Sequence, residues 1–310
     1  MSKPTTNSLR EDVHSRVTAR IVADLEQGAR PWLRPWSVEH AAGHITRPLR
    51  ANGTPYRGVN VLLLWGEAVA NGYVAPTWMT YKQAQELGAQ VRTGEHGSLV
   101  VYATRFTKTE TGDQGQEIER EIPFMKAYTV FNIKQIEGLS ASCYAQPTAA
   151  LPAAARIEAA EHFFAATGAT IRHGGNRAFY SPARDFVQMP HFAAFNDAES
   201  YSATLAHDLT HWASHPSRLA RKLGERHGDQ AYAFEELIAE LGAAFLCADL
   251  GMTPEPREDH AAYLASWLQV LKQDKRAIFS AAAHAQRAAD YLQSLQPGAI
   301  APVEVADQVA

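Results

Sequence analysis

Two histidines four residues apart, in the run His207-Asp208-Leu209-Thr210-His211, constrain this 310-residue chain more than any other feature. On a helix, residues at that spacing stand one above the other, so both imidazoles can aim at one point. That is the geometry of a zinc site. The usual motif places Glu after the first His, as general base towards the water that a metal ion activates. Here the position holds Asp208. A catalytic zinc normally takes three protein ligands, so a third must come from elsewhere.

The candidate is Glu236, in a helical pattern that runs from Ala233 to about Leu250. Leu237, Leu241, Ala244 and Phe245 repeat at helical spacing and would pack this helix on the first, while Glu236 and Glu240 share another face. Glu236 can then bind the metal, and Glu240 can hydrogen-bond a ligand imidazole and fix its tautomer. His215 competes for the third place. Along a continuous helix it would lie roughly 12 Å from His207, too far for a shared ion. Pro216 follows it and disfavours helix there, so His215 reads as a helix end with substrate contact open to it. The same histidines also suit a satisfied structural set at a helix–helix contact.

An ordinary globular composition, 46% hydrophobic and 9% aromatic, excludes fibrous and disordered classes and leaves room for two domains. Cys143 and Cys247 are too few for a disulfide framework. No stretch reads as a signal peptide or approaches a membrane span, so the expectation is a cytoplasmic protein. The net charge of −4 hides an asymmetry: Lys and Arg outnumber Asp and Glu from Met1 to Lys108, and the remainder is acidic. The first third is the part suited to a polyanion.

That third is also aromatic. After an amphipathic helix from Ser8 to Glu26, with Val13, Val17, Ile21 and Leu25 on one face, come Trp32, Arg34, Trp36, Arg47, Arg50, Asn52, Tyr56, Arg57, Asn60 and Lys82. Sequence-tolerant binding of single strands needs flat side chains for bases and cations along the backbone path. These ten residues are the candidate contacts to single-stranded DNA. Trp65 and Trp78, inside apolar runs, read as core. Strand-like runs at Ser98–Ala103 and Lys126–Asn132 flank a polar stretch, Lys108 to Glu121, that reads as a hairpin tip or mobile loop.

The class is therefore α+β, in two domains: residues 1–139 with a small antiparallel sheet, an Ala/Pro-rich linker at 140–155, and a mainly helical part at 156–310. The latter opens with a helix from Ile157 to Gly168. A hairpin pairs Ala178–Tyr180 with Asp185–Met189, and Asn196 to Glu199 caps the His helix. A strand just ahead of a zinc helix can serve as an edge for an extended peptide.

Arg50-Ala51-Asn52-Gly53, Pro55 to Leu63, Trp78-Met79-Thr80 and Val130-Phe131-Asn132 closely resemble the single-stranded-DNA-binding domain of ArdC-type antirestriction proteins. His207 to Trp212, His215 to Leu219, Glu235 to Leu241 and Asp274 to Ile278 resemble the zincin-like metallopeptidase domain of the same family. The resemblance implies a protein of mobile elements that shields incoming DNA from host restriction during conjugative transfer. It also implies a peptide or protein substrate among host restriction components. The family's general-base Glu falls on Asp208, one methylene shorter. A displaced base can cost ~100-fold in rate.

The resulting expectation is a single-strand-binding protein with one divalent ion, zinc, and a peptidase-like site in which Asp208 takes the proton. A coating protein whose metal site is only structural is the alternative that Asp208 favours. A DNA mimic needs an acidic surface, which the basic first third opposes.

Overall fold

The computed structural model describes residues 12–28, 30, 32, 46–111, 117–144, 153–222, 230–252 and 260–299. The first amphipathic pattern forms α1 (Val13–Glu26), which turns Val17, Ile21 and Leu25 into the interior. After β1 (Leu49–Arg50) comes α2 (Val59–Asn71), apolar on nearly all sides and accordingly enclosed. Next is β2 (Thr77–Met79), then α3 (Tyr81–Glu86), whose start is fixed by a reciprocal cap between Thr80 and Gln83. The strands β3 (Gln90–Val91), β4 (Ser98–Thr111), β5 (Glu117–Asn132) and β6 (Ile136–Glu137) complete this half. The order β1-β2-β5-β4 makes the main sheet, and β3 pairs with β6.

The polar stretch expected as a hairpin tip forms the far end of the β4–β5 hairpin, whose ladder runs from Ser98↔Val130 out to Thr111↔Glu117. Polarity in sequence is a signal about solvent, whereas an antiparallel ladder needs only backbone groups to pair. Residues 112–116 lie outside those described, as do 145–152 of the expected linker.

The second half begins with α4 (Ala153–Ala166), then β7 (Ile171–His173), β8 (Phe179–Ser181) and β9 (Phe186–Met189). Among the described residues four α-helices follow: α5 (Ala198–Trp212), α6 (Gln230–Leu250), α7 (His260–Gln273) and α8 (Ala277–Ser294). The expected hairpin is present, but β7 returns beside β9 in parallel, so the order is β7-β9-β8. This corrects one expectation. The strand ahead of the His helix is the centre of its sheet and has no free edge; any edge for an extended peptide lies on β7 or β8.

One continuous apolar cluster runs through both halves. Trp32 meets Trp267 with ring centroids 6.3 Å apart, and Trp65 meets Phe245 at 6.0 Å. Polar bonds cross with them: Thr18 donates to the Lys275 carbonyl at 2.7 Å, and the Gln286 side-chain oxygen accepts from the Gly58 amide at 3.2 Å. No described helix is long and apolar enough to cross a membrane.

Candidate metal centre

Asp197 starts α5 by accepting from the Ser200 amide at 2.7 Å, and the helix runs unbroken through the His pair to Trp212. Its partner α6 crosses it closely at Gly242, where a Cβ would lie 2.5 Å from the Thr210 methyl. Only hydrogen fits there. That approach brings Glu236 over the two imidazoles.

His207 Nε2 and His211 Nε2 are 3.2 Å apart, and the Glu236 carboxylate lies 3.4 Å from the first and 3.5 Å from the second. A tetrahedral ion with ligand bonds of about 2.0–2.1 Å holds its ligand atoms about 3.4 Å apart. The three groups therefore fit a divalent ion in spacing as well as in donor type, and among the described residues they are the group that can. Burial pushes the Glu236 carboxyl up, but the two imidazoles outweigh it and hold it well below its usual range. Burial likewise opposes charge on His211, yet hydrogen bonds to Glu235 and Glu236 prevail and raise it to about 10. The cage favours a cation.

The other ring nitrogen of each histidine also faces a carboxylate. Glu240 faces His207 Nδ1 at 3.7 Å, an ion-pair distance slightly longer than a direct hydrogen bond. His211 Nδ1 donates to Glu235 at 3.2 Å, and a carboxylate that can only accept fixes the proton on Nδ1. Glu235 is held in turn by Arg221 at 2.7 Å, and Arg221 also donates to the Thr210 carbonyl at 2.8 Å. Burial raises the Glu235 carboxyl, but His211 and Arg221 bring it below its ordinary value. Sequence reasoning missed Glu235, because nothing local to it announces a partner in the loop fourteen residues earlier.

Asp208 follows His207 on α5 and is buried, 2% exposed. His215 lies past the end of α5, turned to Ser217 at 2.7 Å and outside the cluster. Beside Glu236 on α6 stands Tyr232, half-buried, its phenol pushed above its usual range by burial and by the hydroxyl of Tyr263.

The ten expected DNA contacts fall differently. Trp32 is fully buried against Trp267, and Tyr56 is 3% exposed beneath the Arg50 guanidinium. Asn60 is buried, with its amide exchanging two 2.8 Å bonds with the Val101 backbone. Arg47 is buried too, clamped on Asp249 at 2.8 and 2.9 Å and lying over the Phe245 ring. These four hold the fold, which corrects their reading as contacts to bases and phosphates. Asn52 and Lys82 are exposed, the one capping the Thr54 amide, the other 3.4 Å from Glu86. Arg57 is exposed and paired with Asp290. Arg34 and Trp36 lie outside the described residues. Composition is the same for a ring that stacks on a base and one that fills a core.

Two helices presenting a His pair and a Glu beside a small sheet define a zincin-like metallopeptidase domain, and the zincin-like metallopeptidase family MPTase-PolyVal matches residues 158–284. Residues 11–131 match the N-terminal domain of anti-restriction factor ArdC. The chain belongs to the ArdC family of antirestriction proteins. It is similar to the antirestriction ArdC protein from plasmid R388, whose metal-free crystal structure is 47% identical, covers 92% of this chain with 97% of its own, and superposes with a TM-score of 0.75. The Mn(II)-bound structure of that protein gives 45% identity and a TM-score of 0.74. An uncharacterized protein of Sinorhizobium fredii is 46% identical over 294 residues, 93% of this chain and 94% of its own length. A DNA primase TraC of Escherichia coli is 37% identical over 305 residues, and the chain spans only 28% of that longer protein.

Proposed function

We propose that the chain binds one divalent cation through His207, His211 and Glu236, zinc by its donor set, in a peptidase-type centre carried by a protein that also holds single-stranded DNA. The observation that supports the centre is the set of 3.2–3.5 Å separations among the three donors. Manganese in the R388 protein is consistent with a divalent ion. When bound, the ion supplies Lewis acidity for hydrolysis of a peptide bond. The chain's own residues do the rest. Glu235, steadied by Arg221, keeps His211 in the tautomer that turns Nε2 inward. Asp208 takes the proton of the attacking water and returns it to the leaving nitrogen.

Membership of an antirestriction family supports DNA as partner; the preference for single strands, action in the cytoplasm where incoming DNA meets host nucleases, and a substrate among host restriction components belong to the same proposal. A second reading, a coating protein whose metal site is structural, is favoured by Asp208 alone, since the shorter acid sets the base back from its target. Metal analysis tests the centre. Purified protein should carry one zinc, and His207→Ala, His211→Ala and Glu236→Ala should each lose most of it. Full metal content in Glu236→Ala would overturn the ligand assignment.

A further inference from the structure

The described cations of the first third are largely spoken for: Arg20, Arg47, Arg57, Lys82 and Arg92 each have a carboxylate partner. The small sheet β7-β9-β8 is different. Arg172 and Phe179 both pair with Gln188 of the central strand, so the three side chains share one face. Phe186, two residues before Gln188, joins them. Contacts agree with the register: the Arg172 guanidinium lies 4.1 Å over the Phe186 ring, and Phe179 meets Phe186 edge-on at 6.2 Å. The opposite face buries Tyr180, Val187 and Met189 beside α5.

Phe179 is 42% exposed on this outer face, although an apolar ring in a short strand ordinarily turns inward. Arg177 and Arg184, exposed in the adjoining turns, have no carboxylate partner among the described residues, and neither does Arg172. The one acid in this stretch, Asp185, is taken by Arg218 at 2.5 Å. The surface thus offers open ring and open guanidinium, and among the described residues of this stretch the one negative charge is already paired.

We infer that the outer face of β7-β9-β8 is a contact surface for single-stranded nucleic acid, with a base stacked on Phe179 and phosphates held by Arg172, Arg177 and Arg184. A sheet face with exposed rings takes bases that are already unstacked, which a duplex does not offer. The inference rests on the reading of this protein as a single-strand binder, and it places a contact in the half that carries the metal centre. Both activities then share α5, since the sheet packs on the helix that carries His207 and His211.

Fluorescence anisotropy of a labelled oligothymidylate on the full chain tests it. Phe179→Ala should weaken binding about tenfold, and Phe179→Trp should keep it. Replacing Arg172, Arg177 and Arg184 together by Gln should flatten the slope of log affinity against log salt by about 2. Melting temperature and metal content should stay at wild-type values in all variants. If wild type binds but the variants match its affinity and salt slope, the surface is elsewhere and only this inference falls. If wild type binds no oligonucleotide, the nucleic-acid part of the proposed function falls with it. If the triple variant keeps oligonucleotide affinity and loses binding to an acidic peptide, the face serves a polypeptide and the inference is overturned.

Discussion

Glu235 and Glu236 are neighbours with opposite tasks: one turns to the outer nitrogen of His211 and to Arg221, the other to the two inner nitrogens. Replacing Glu235 by Gln leaves a bond to His211 but strips Arg221, itself 4% exposed, of its counter-charge. Breaking a buried pair in this way costs about 3 kcal/mol, and loosening a ligand imidazole costs about 10–100-fold in metal affinity. Titration calorimetry with zinc and a thermal melt check both numbers, and unchanged zinc affinity would remove Glu235 from the centre. Asp208 tests reach instead. Asp208→Glu should raise peptide hydrolysis while metal content stays constant; a variant that gains nothing over an active wild type refutes the geometric argument.

Among elements, the crossing of α5 and α6 decides whether the donors meet. A methyl at position 242 would collide with Thr210, whose hydroxyl bonds only back to its own helix at Ala206. Gly242→Ala should cost about 1–3 kcal/mol through overpacking and weaken metal binding as Glu236 is pushed away. Adding Thr210→Ala should recover much of both, and the double-mutant cycle in melting temperature and metal affinity measures the coupling. The turn between β8 and β9 is tied to the chain after α5 by Asp185 and Arg218, whose hydrogen bond lowers the Asp185 carboxyl. A carboxyl lowered by folding contributes stability that is present above the unfolded value, about 3.9, and is lost as pH falls through the folded one. Asp185→Asn should therefore be less stable than wild type at neutral pH, and the gap in melting temperature should narrow in acid. A gap independent of pH would show that the charge contributes nothing.

Across the whole molecule, Arg47 binds Asp249 across 202 residues of chain, and Trp32 and Trp65 complete a core whose other wall is α6 and α7. Two halves sharing one interior should unfold together. Melting followed by tryptophan fluorescence and by far-ultraviolet circular dichroism should give a single coincident transition. A fragment ending near Leu139 should expose the Trp65 face and fail to reach a cooperative fold. Two separated transitions would mean the shared interior contributes little.

The sequence by itself determined the helical periods, the cap of the His helix at Asp197, the His pair with Glu236 and the family. Each of these is a local pattern or a short spacing, set by the geometry of one helix or one turn. Only the tertiary structure decided that Trp32, Tyr56, Asn60 and Arg47 face inward, that Glu235 stands behind His211 while Glu240 faces His207, and that β9 lies between two strands. Those outcomes depend on which distant segments meet, and a residue type keeps the same letter whether its partner is solvent, a base or another helix.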